Sequence, residues 1–306
     1  MITYRELSTL TKDLGISAKA LYAVSNHVGR HYRSVKLPKG NGEFRTLSVP
    51  DEFLKNIQHR IAEKLLAYEE ISPYASAYRP GASPVRNAAV HLKGQRILKL
   101  DIRHFFDHIT YPLVKQKAFP SEKYSESNRI LLSIICIYKD ILPQGAPTSP
   151  VISNIIMRDF DNAVGEWCAQ RNIHFTRYCD DMTFSGDFEP REVIDFVRCE
   201  LKKLGFFLND DKTVTAVCGQ KKVVTGIVVN EKLNASADYR RKIRQELHYC
   251  QKYGISAHLE HCGKSQDEET YLRSLLGRIN HVLTADPHNS EMKEYKKYIS
   301  EKLRKH

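Results

Sequence analysis

The chain has 306 residues, of which 42% are hydrophobic and 27% charged, with a formal net charge of +11. That length can bury a sizeable core in one large domain or two to three subdomains, and the charge fits a polyanionic partner, most simply nucleic acid. The seven cysteines form no CxxC pair, and the chain shows neither an apolar signal core at its start nor an apolar run near bilayer length. These features exclude a disulfide scaffold and a membrane span, and they predict a reduced, cytoplasmic protein.

In chain order, TYRELSTLTKDLG reads as a short helix stopped by Gly15, and SAKALYAVSNHVG as a second with Ser17 as N-cap. YRSVKLPKGNGEFRTLSVP predicts a β-hairpin around a turn holding Pro38, Gly40, Asn41 and Gly42. From Asp51 onward, Phe53, Leu54, Ile57, Ile61, Leu65 and Leu66 recur at helical spacing. RILKLDI predicts a buried strand ending in Asp101. The loop LPQGAPTSP runs into a helix with Ser149 as N-cap and Pro150 at its first position, turning Ile152, Ile155, Ile156, Phe160 and Val164 inward. FTRYCDDMTFSG predicts a hairpin, with strands over 175–178 and 182–185 and a tight turn at the aspartates. A helix over 190–204 is stopped by Gly205, and KKVVTGIVVN reads as one strand. From 235 the chain reads as mainly helical, interleaving Arg240, Arg241, Lys242, Arg244, Lys296, Lys297, Arg304 and Lys305 with Tyr239, Tyr249, Tyr253, Tyr295 and Tyr298. No internal repeat is visible, and the spacing of Cys250, His258, His261 and Cys262 fits no common zinc finger.

Asp180 and Asp181 repel each other and lose hydration if buried, so their place in an apolar hairpin asks for compensation. With Asp101 at the same sheet edge they form a hard-oxygen site suited to Mg²⁺ rather than zinc. A pair of such ions about 3.5–4 Å apart can activate an attacking hydroxyl, hold a triphosphate and stabilise the leaving oxygen. An isolated aspartate pair is more often a solvated turn; the surrounding motifs decide against that here.

Five stretches in order, FRTLSVPDEFLKNIQHRI, LKLDIRHFF, LPQGAPTSP, YCDD and LGFFLNDDKT, resemble the motifs of reverse transcriptases. NAAVH (Asn87 to His91) and VTG (Val224 to Gly226) match two signatures of retron reverse transcriptases, which the chain resembles across nearly its whole length. The resemblance implies an α+β right-hand polymerase fold with fingers, a palm of antiparallel sheet plus helices, and a helical thumb. The expected divisions are N-terminal helices and fingers over 1–95, palm over 96–234 with a fingers-side insertion about 112–147, and an RNA-binding thumb over 235–306.

Carried over onto matching positions, the resemblance makes Asp101, Asp180 and Asp181 ligands of two Mg²⁺ ions, Asp181 the least direct. Phe106 would be the steric gate against a ribose 2′-OH, with Phe105 the competing candidate. Gln144 and Gly145 would shape the nucleotide pocket. Arg45, Lys36 and Arg79 would grip the triphosphate, although Lys36 and Arg79 fit an ordinary basic surface equally well. Lys212 would stand near the leaving pyrophosphate; Asp210 and Asp211 precede it where relatives often carry a second base, so it is the one candidate cation. Cys179 replaces a frequent alanine and is expected only to pack. Asn87, His91, Val224, Thr225 and Gly226 are expected at the RNA or primer, or else in hydrogen-bonded packing, with Gly226 a close approach of primer backbone or a bulge. Arg240 and Arg241 join them as RNA contacts.

The activity so implied is RNA-directed DNA synthesis on a cognate retron non-coding RNA. Priming from an internal guanosine 2′-OH gives branched RNA–DNA (msDNA) from dNTPs, in anti-phage defence with a separate effector protein. Two alternatives are an intron-like or abortive-infection reverse transcriptase, and a nucleic-acid-binding scaffold or antitoxin in which synthesis is secondary.

Overall fold

The computed structural model describes residues 3–38, 42, 44–263 and 265–304; Gly40, Asn41 and Lys305 of the sequence reading lie outside them. Helix α1 (Leu7–Leu14) ends at Gly15, whose left-handed φ of 62° lets the chain turn out of the helix. Helix α2 (Ala18–Asn26) begins where the Ser17 side chain accepts from the Ala20 N–H. Strands β1 (Tyr32–Pro38) and β2 (Phe44–Pro50) pair antiparallel, Lys36 opposite Thr46 and Leu37 opposite Arg45. Asp51 caps α3 (Glu52–Ile61), which continues into one π-helical turn over Ala62–Leu66.

After α4 (Pro84–Ala89) comes β3 (Arg96–Asp101), then α5 (Tyr111–Lys117), α6 (Glu126–Cys136) and α7 (Ser149–Ala169). Helix α7 starts one residue earlier than Ser149 as N-cap requires. Thr148 takes the cap position, and the Ser149 hydroxyl instead donates to the Pro143 carbonyl (2.7 Å), pinning the loop behind the helix. The inward stripe from Ile152 to Val164 is buried as its spacing predicts.

Strands β4 (His174–Tyr178) and β5 (Asp181–Gly186) form the expected hairpin, with its turn one residue earlier than expected. The turn lies at Cys179 and Asp180, Cys179 adopting a left-handed φ of 60°, so Asp181 already belongs to β5. Helix α8 (Pro190–Lys203) is followed by Leu204 and Gly205, as read, and then by β6 (Val214–Ala216).

KKVVTGIVVN is two strands rather than one. Strands β7 (Val223–Val224) and β8 (Ile227–Val228) pair with Val224 opposite Ile227, and β9 (Asn234–Ala235) pairs with β8. Thr225 (φ 45°) and Gly226 (φ 82°) are both left-handed, the backbone of a two-residue hairpin turn. Gly226 is thus neither a strand bulge nor a strand residue. The rest is helical: α9 (Ala237–Tyr253), α10 (Ile255–His261), α11 (Glu268–Ala285) and α12 (Ser290–Leu303). Among the described residues no helix is long and apolar enough to cross a membrane.

The chain divides into two compact units. The first comprises 1–82, 98–184 and 188–215, and the second 83–97, 185–187 and 216–306. Strands lie in the order β4-β5-β3-β6. The first unit's core gathers Leu98 and Leu100 of β3, Phe175 of β4, Met182 and Phe184 of β5 and the inward stripe of α7. Phe175 and Phe184 stack at 4.9 Å across the hairpin, and Trp167 of α7 stacks on Phe196 of α8 at 4.5 Å. The second unit has two cores: Ile243, Leu247, Leu272, Leu275, Ile279, Met292 and Ile299 among its long helices, and Ala88, Ile97, Val224, Ile227 and Val229 around the β7–β8 hairpin.

Candidate active site

All the acids singled out in the sequence lie in the first unit, at one end of its sheet. Strand β3 ends at Asp101, and the next N–H, that of Ile102, donates to the Asp180 carbonyl (3.0 Å). One backbone bond therefore holds the β4–β5 turn against the end of β3. On the other side, the Asn209 N–H donates to the Asp101 carbonyl (2.8 Å) and the Arg103 N–H to the Phe207 carbonyl (2.9 Å). Those bonds bring in the segment carrying Lys212. Asp101 is only 5% exposed. It takes the Lys212 ammonium at 2.9 Å on one oxygen and the Asn209 amide at 3.1 Å on the other.

These groups line a cleft of about 450 Å³ together with Arg45, Tyr78, Phe106, Gln144 and Asp180. Its roof follows from Gly145, whose φ is 122° and where an added Cβ would lie 2.9 Å from the Ser48 carbonyl oxygen. Because that position has no side chain, the loop can lie on β2, and the Ser48 N–H donates to the Gln144 carbonyl (2.9 Å). The arrangement places Arg45 of β2 and Gln144 on one rim.

Burial is the main cause raising the Asp180 carboxyl above its ordinary range, with Asp181 and Asp101 adding repulsion. Burial also raises Asp181, where Asp101 opposes ionisation and Lys99 and Lys212 favour it. Ionising the two acids therefore works against folding as pH rises through their titration, and a cation brought to them reverses that. Lys212 is raised in turn, chiefly by its hydrogen bond to Asp101. Among the described residues no three His, Cys, Asp or Glu side chains form a ready-made metal cage. The donor set still suits Mg²⁺, which commonly takes one or two carboxylates and completes its shell with water and substrate phosphates.

Phe105 is buried and packs on Phe206 with ring centroids 5.6 Å apart, inside the main core. Phe106 meets it edge-on at 5.3 Å and is half-buried at the cleft wall. Lys36 is an exposed residue of β1 and is absent from the cleft lining. Arg79 uses one guanidinium nitrogen on the carbonyls of Ser72, Pro73 and Ala75 (3.3–3.4 Å), outside the lining.

Asn87, His91 and the VTG residues meet in the second unit. The Asn87 amide donates to the Thr225 hydroxyl (3.4 Å), which donates to the Pro84 carbonyl (2.8 Å). His91 Nδ1 lies 2.7 Å from the Ser185 hydroxyl. Asn87, His91 and Val224 are all buried, so the two short signatures are one packing unit. Arg240 and Arg241 stand in the first turn of α9, Arg241 exposed and 3.6 Å from Asp238.

Sequence reading missed Arg103, Tyr78 and Asn209 at the cleft, and one buried cluster behind it. Arg177 of β4 and Asp161 of α7 are each fully buried and pair through two nitrogens, Nε at 2.7 Å and Nη2 at 2.6 Å. Arg177 Nη2 also donates to Asn154 Oδ1 (3.1 Å), and its Nη1 donates to the Cys179 carbonyl (2.8 Å). An aspartate inside an apolar helix stripe, beside Phe160, was the available signal, because buried acids are almost always paired.

A protein-family model described as reverse transcriptase (RNA-dependent DNA polymerase) matches residues 37–271. The retron Ec83 reverse transcriptase of Escherichia coli is 33% identical over 232 residues, covering 70% of this chain and 73% of the relative. The retron Mx65 reverse transcriptase of Myxococcus xanthus is 30% identical over 314 residues, covering 94% of this chain and 70% of the relative. Among solved structures, telomerase from Candida albicans overlaps 88% of this chain at 12% identity and a TM-score of 0.48; the chain spans 66% of that telomerase chain. On the family match and these two relatives, the chain belongs to the retron reverse transcriptases, RNA-directed DNA polymerases.

Proposed function

We propose that the chain copies part of a cognate non-coding RNA into DNA, priming from a 2′-OH of an internal guanosine to give branched msDNA. The observation that carries this reading is the cleft where Asp101, Asp180, Arg45, Phe106, Gln144 and Lys212 converge. Asp101 and Asp180, with Asp181 behind them, are the residues to hold Mg²⁺. Bound there, two such ions would supply the positive charge that a hydroxyl nucleophile and a leaving pyrophosphate require.

The chain's own residues do the rest. The Arg45 guanidinium suits the triphosphate by its forked geometry. Gln144 and the side-chain-free Gly145 leave room for a base pair on the rim. Lys212 begins paired with Asp101, which raises its pKa and opposes proton release. Lys212 would protonate the leaving pyrophosphate once its ammonium is released from Asp101, as a cation held at Asp101 would allow. Lys36 and Arg79 serve as outer basic surface in this reading. Arg240 and Arg241 of α9 are proposed to follow the RNA backbone, an electrostatic contact expected to weaken steeply with salt. The buried Asn87, His91 and Val224, with half-buried Thr225 and exposed Gly226 at the hairpin turn, act on RNA through the shape of the surface they hold together. A cytoplasmic setting and a separate effector in phage defence complete the proposal.

Nucleic acid extracted from the purified protein, expressed with its flanking genomic sequence, is expected to contain one RNA joined to DNA through a 2′ branch. Recovery of bulk host RNA alone would count against the retron reading. Phe106→Ala is expected to raise ribonucleotide use relative to deoxynucleotide use by about 10- to 100-fold in kcat/KM. Phe105→Ala, by contrast, should lower stability by about 3–5 kcal/mol, since it empties a core site. Unchanged sugar selectivity in Phe106→Ala would remove that residue as the gate.

A further inference from the structure

We propose that Arg177 is a positioning residue for polymerisation, a buried clamp that sets the backbone of the turn from which Asp180 projects. This inference rests on the polymerase reading of the cleft. Arg177 is not among the residues lining the cleft, and its side chain is fully buried. Two of its nitrogens bind the Asp161 carboxylate and one of these also reaches Asn154, so α7 holds the head group at three points. The remaining nitrogen, Nη1, donates to the Cys179 carbonyl (2.8 Å).

Cys179 is the residue that needs holding. Its φ of 60° is left-handed, a conformation that costs a non-glycine side chain about 1 kcal/mol or more. The peptide whose oxygen Arg177 grips is the one joining Cys179 to Asp180. Rotation of that peptide would swing the Asp180 carboxylate away from Asp101. The main chain of Arg177 is fixed as well: its N–H donates to Tyr74 O (2.9 Å) and its carbonyl accepts from the Ser76 N–H (2.8 Å) and hydroxyl (3.0 Å). Asn154 closes the frame by donating to the Ala77 carbonyl (2.9 Å). Tyr78, next in sequence, lines the cleft beside Cys179. One rigid helix therefore sets the turn through a single side chain. A displacement of about 1 Å in such a group can cost about 100-fold in rate.

The test uses Arg177→Met combined with Asp161→Leu, which replaces the ion pair by apolar volume, and Arg177→Lys, which keeps a charge pair with Asp161 but cannot also reach Cys179 O. Three quantities are measured: the urea midpoint, kcat and KM for dTTP on oligo(dT)-primed poly(rA), and iodoacetamide labelling of each cysteine by mass spectrometry. Expected is a cooperative unfolding transition in both variants, with kcat lowered about 100-fold and KM for dTTP within about 3-fold of the parent. Cys179 should label faster than in the parent while the buried Cys168 stays protected. The proposal is overturned by a folded variant with kcat within about 3-fold of the parent, by a loss carried in KM alone, or by unchanged Cys179 labelling. Failure of both variants to fold overturns it too, because the cluster would then be a stability element. Absence of dTTP incorporation by the parent protein would instead count against the polymerase reading, and the labelling arm reads the clamp without any synthesis.

Discussion

Asp180→Asn combined with Asp181→Asn is expected to lower DNA synthesis by at least about 10³-fold and to leave the protein as stable as before, or more so. The rate loss follows from charge. A factor of 10³ is about 4 kcal/mol of transition-state stabilisation, within what metal-assisted charge neutralisation supplies. Asparagine keeps the size and the backbone of each residue but removes the anionic oxygens proposed to hold a hard cation. The unchanged stability follows from the same burial. Both acids titrate above their ordinary range because the site desolvates them and Asp101 repels them. Above those titrations the charged forms weaken the fold, so removing the charges at neutral pH relieves it. Primer extension and a urea unfolding curve on the same preparation check both halves. Synthesis at parental levels would remove the two aspartates from the chemistry.

Asp161→Ala is expected to cost about 3–5 kcal/mol, a large share of the 5–15 kcal/mol that holds a typical domain together. Arg177 is fully buried and cannot swing its charge to water once its partner is gone. Its bonds to Asn154 and to the Cys179 carbonyl remain, but neither carries a compensating negative charge. Exposed pairs in the same protein, such as Arg191 with Asp195 at 3.8 Å, should by contrast be worth under about 1 kcal/mol. Equilibrium denaturation by urea measures the difference. A loss below about 1 kcal/mol would mean that the cluster relaxes or admits water, and that it does not carry a buried charge at all.

The features legible in the sequence were those whose cause lies within a few residues. Gly15 ends a helix because only a left-handed residue fits there, and Ser17 and Asp51 cap the next two because their side chains reach an N–H three residues on. The α7 stripe follows from spacing alone. The order of the motifs was enough to recognise the family, and Asp101, Asp180 and Asp181 lie in two of those strings, at a strand end and at a hairpin turn. KKVVTGIVVN shows the limit. Its run of β-branched residues reads as continuous strand, and Thr-Gly is a weak turn signal; packing of Val224 and Ile227 against Ala88 and Ile97 selects the hairpin.

What tertiary structure decided were the pairings across long separations. Phe105 and Phe106 are equivalent in sequence and both border the cleft; packing on Phe206 buries Phe105 in the core and leaves Phe106 half-buried at the cleft wall. Asn87 meets Thr225 across 138 residues, and Lys212 meets Asp101 across 111. Arg177 finds Asp161 only because α7 returns beneath the hairpin. Helix caps and periodic stripes are properties of neighbouring residues, whereas the partner of a buried charge depends on which distant surfaces the core brings together. The sequence by itself therefore determined the family, the acids and the helices. Which rings, amides and charges surround those acids was decided by packing.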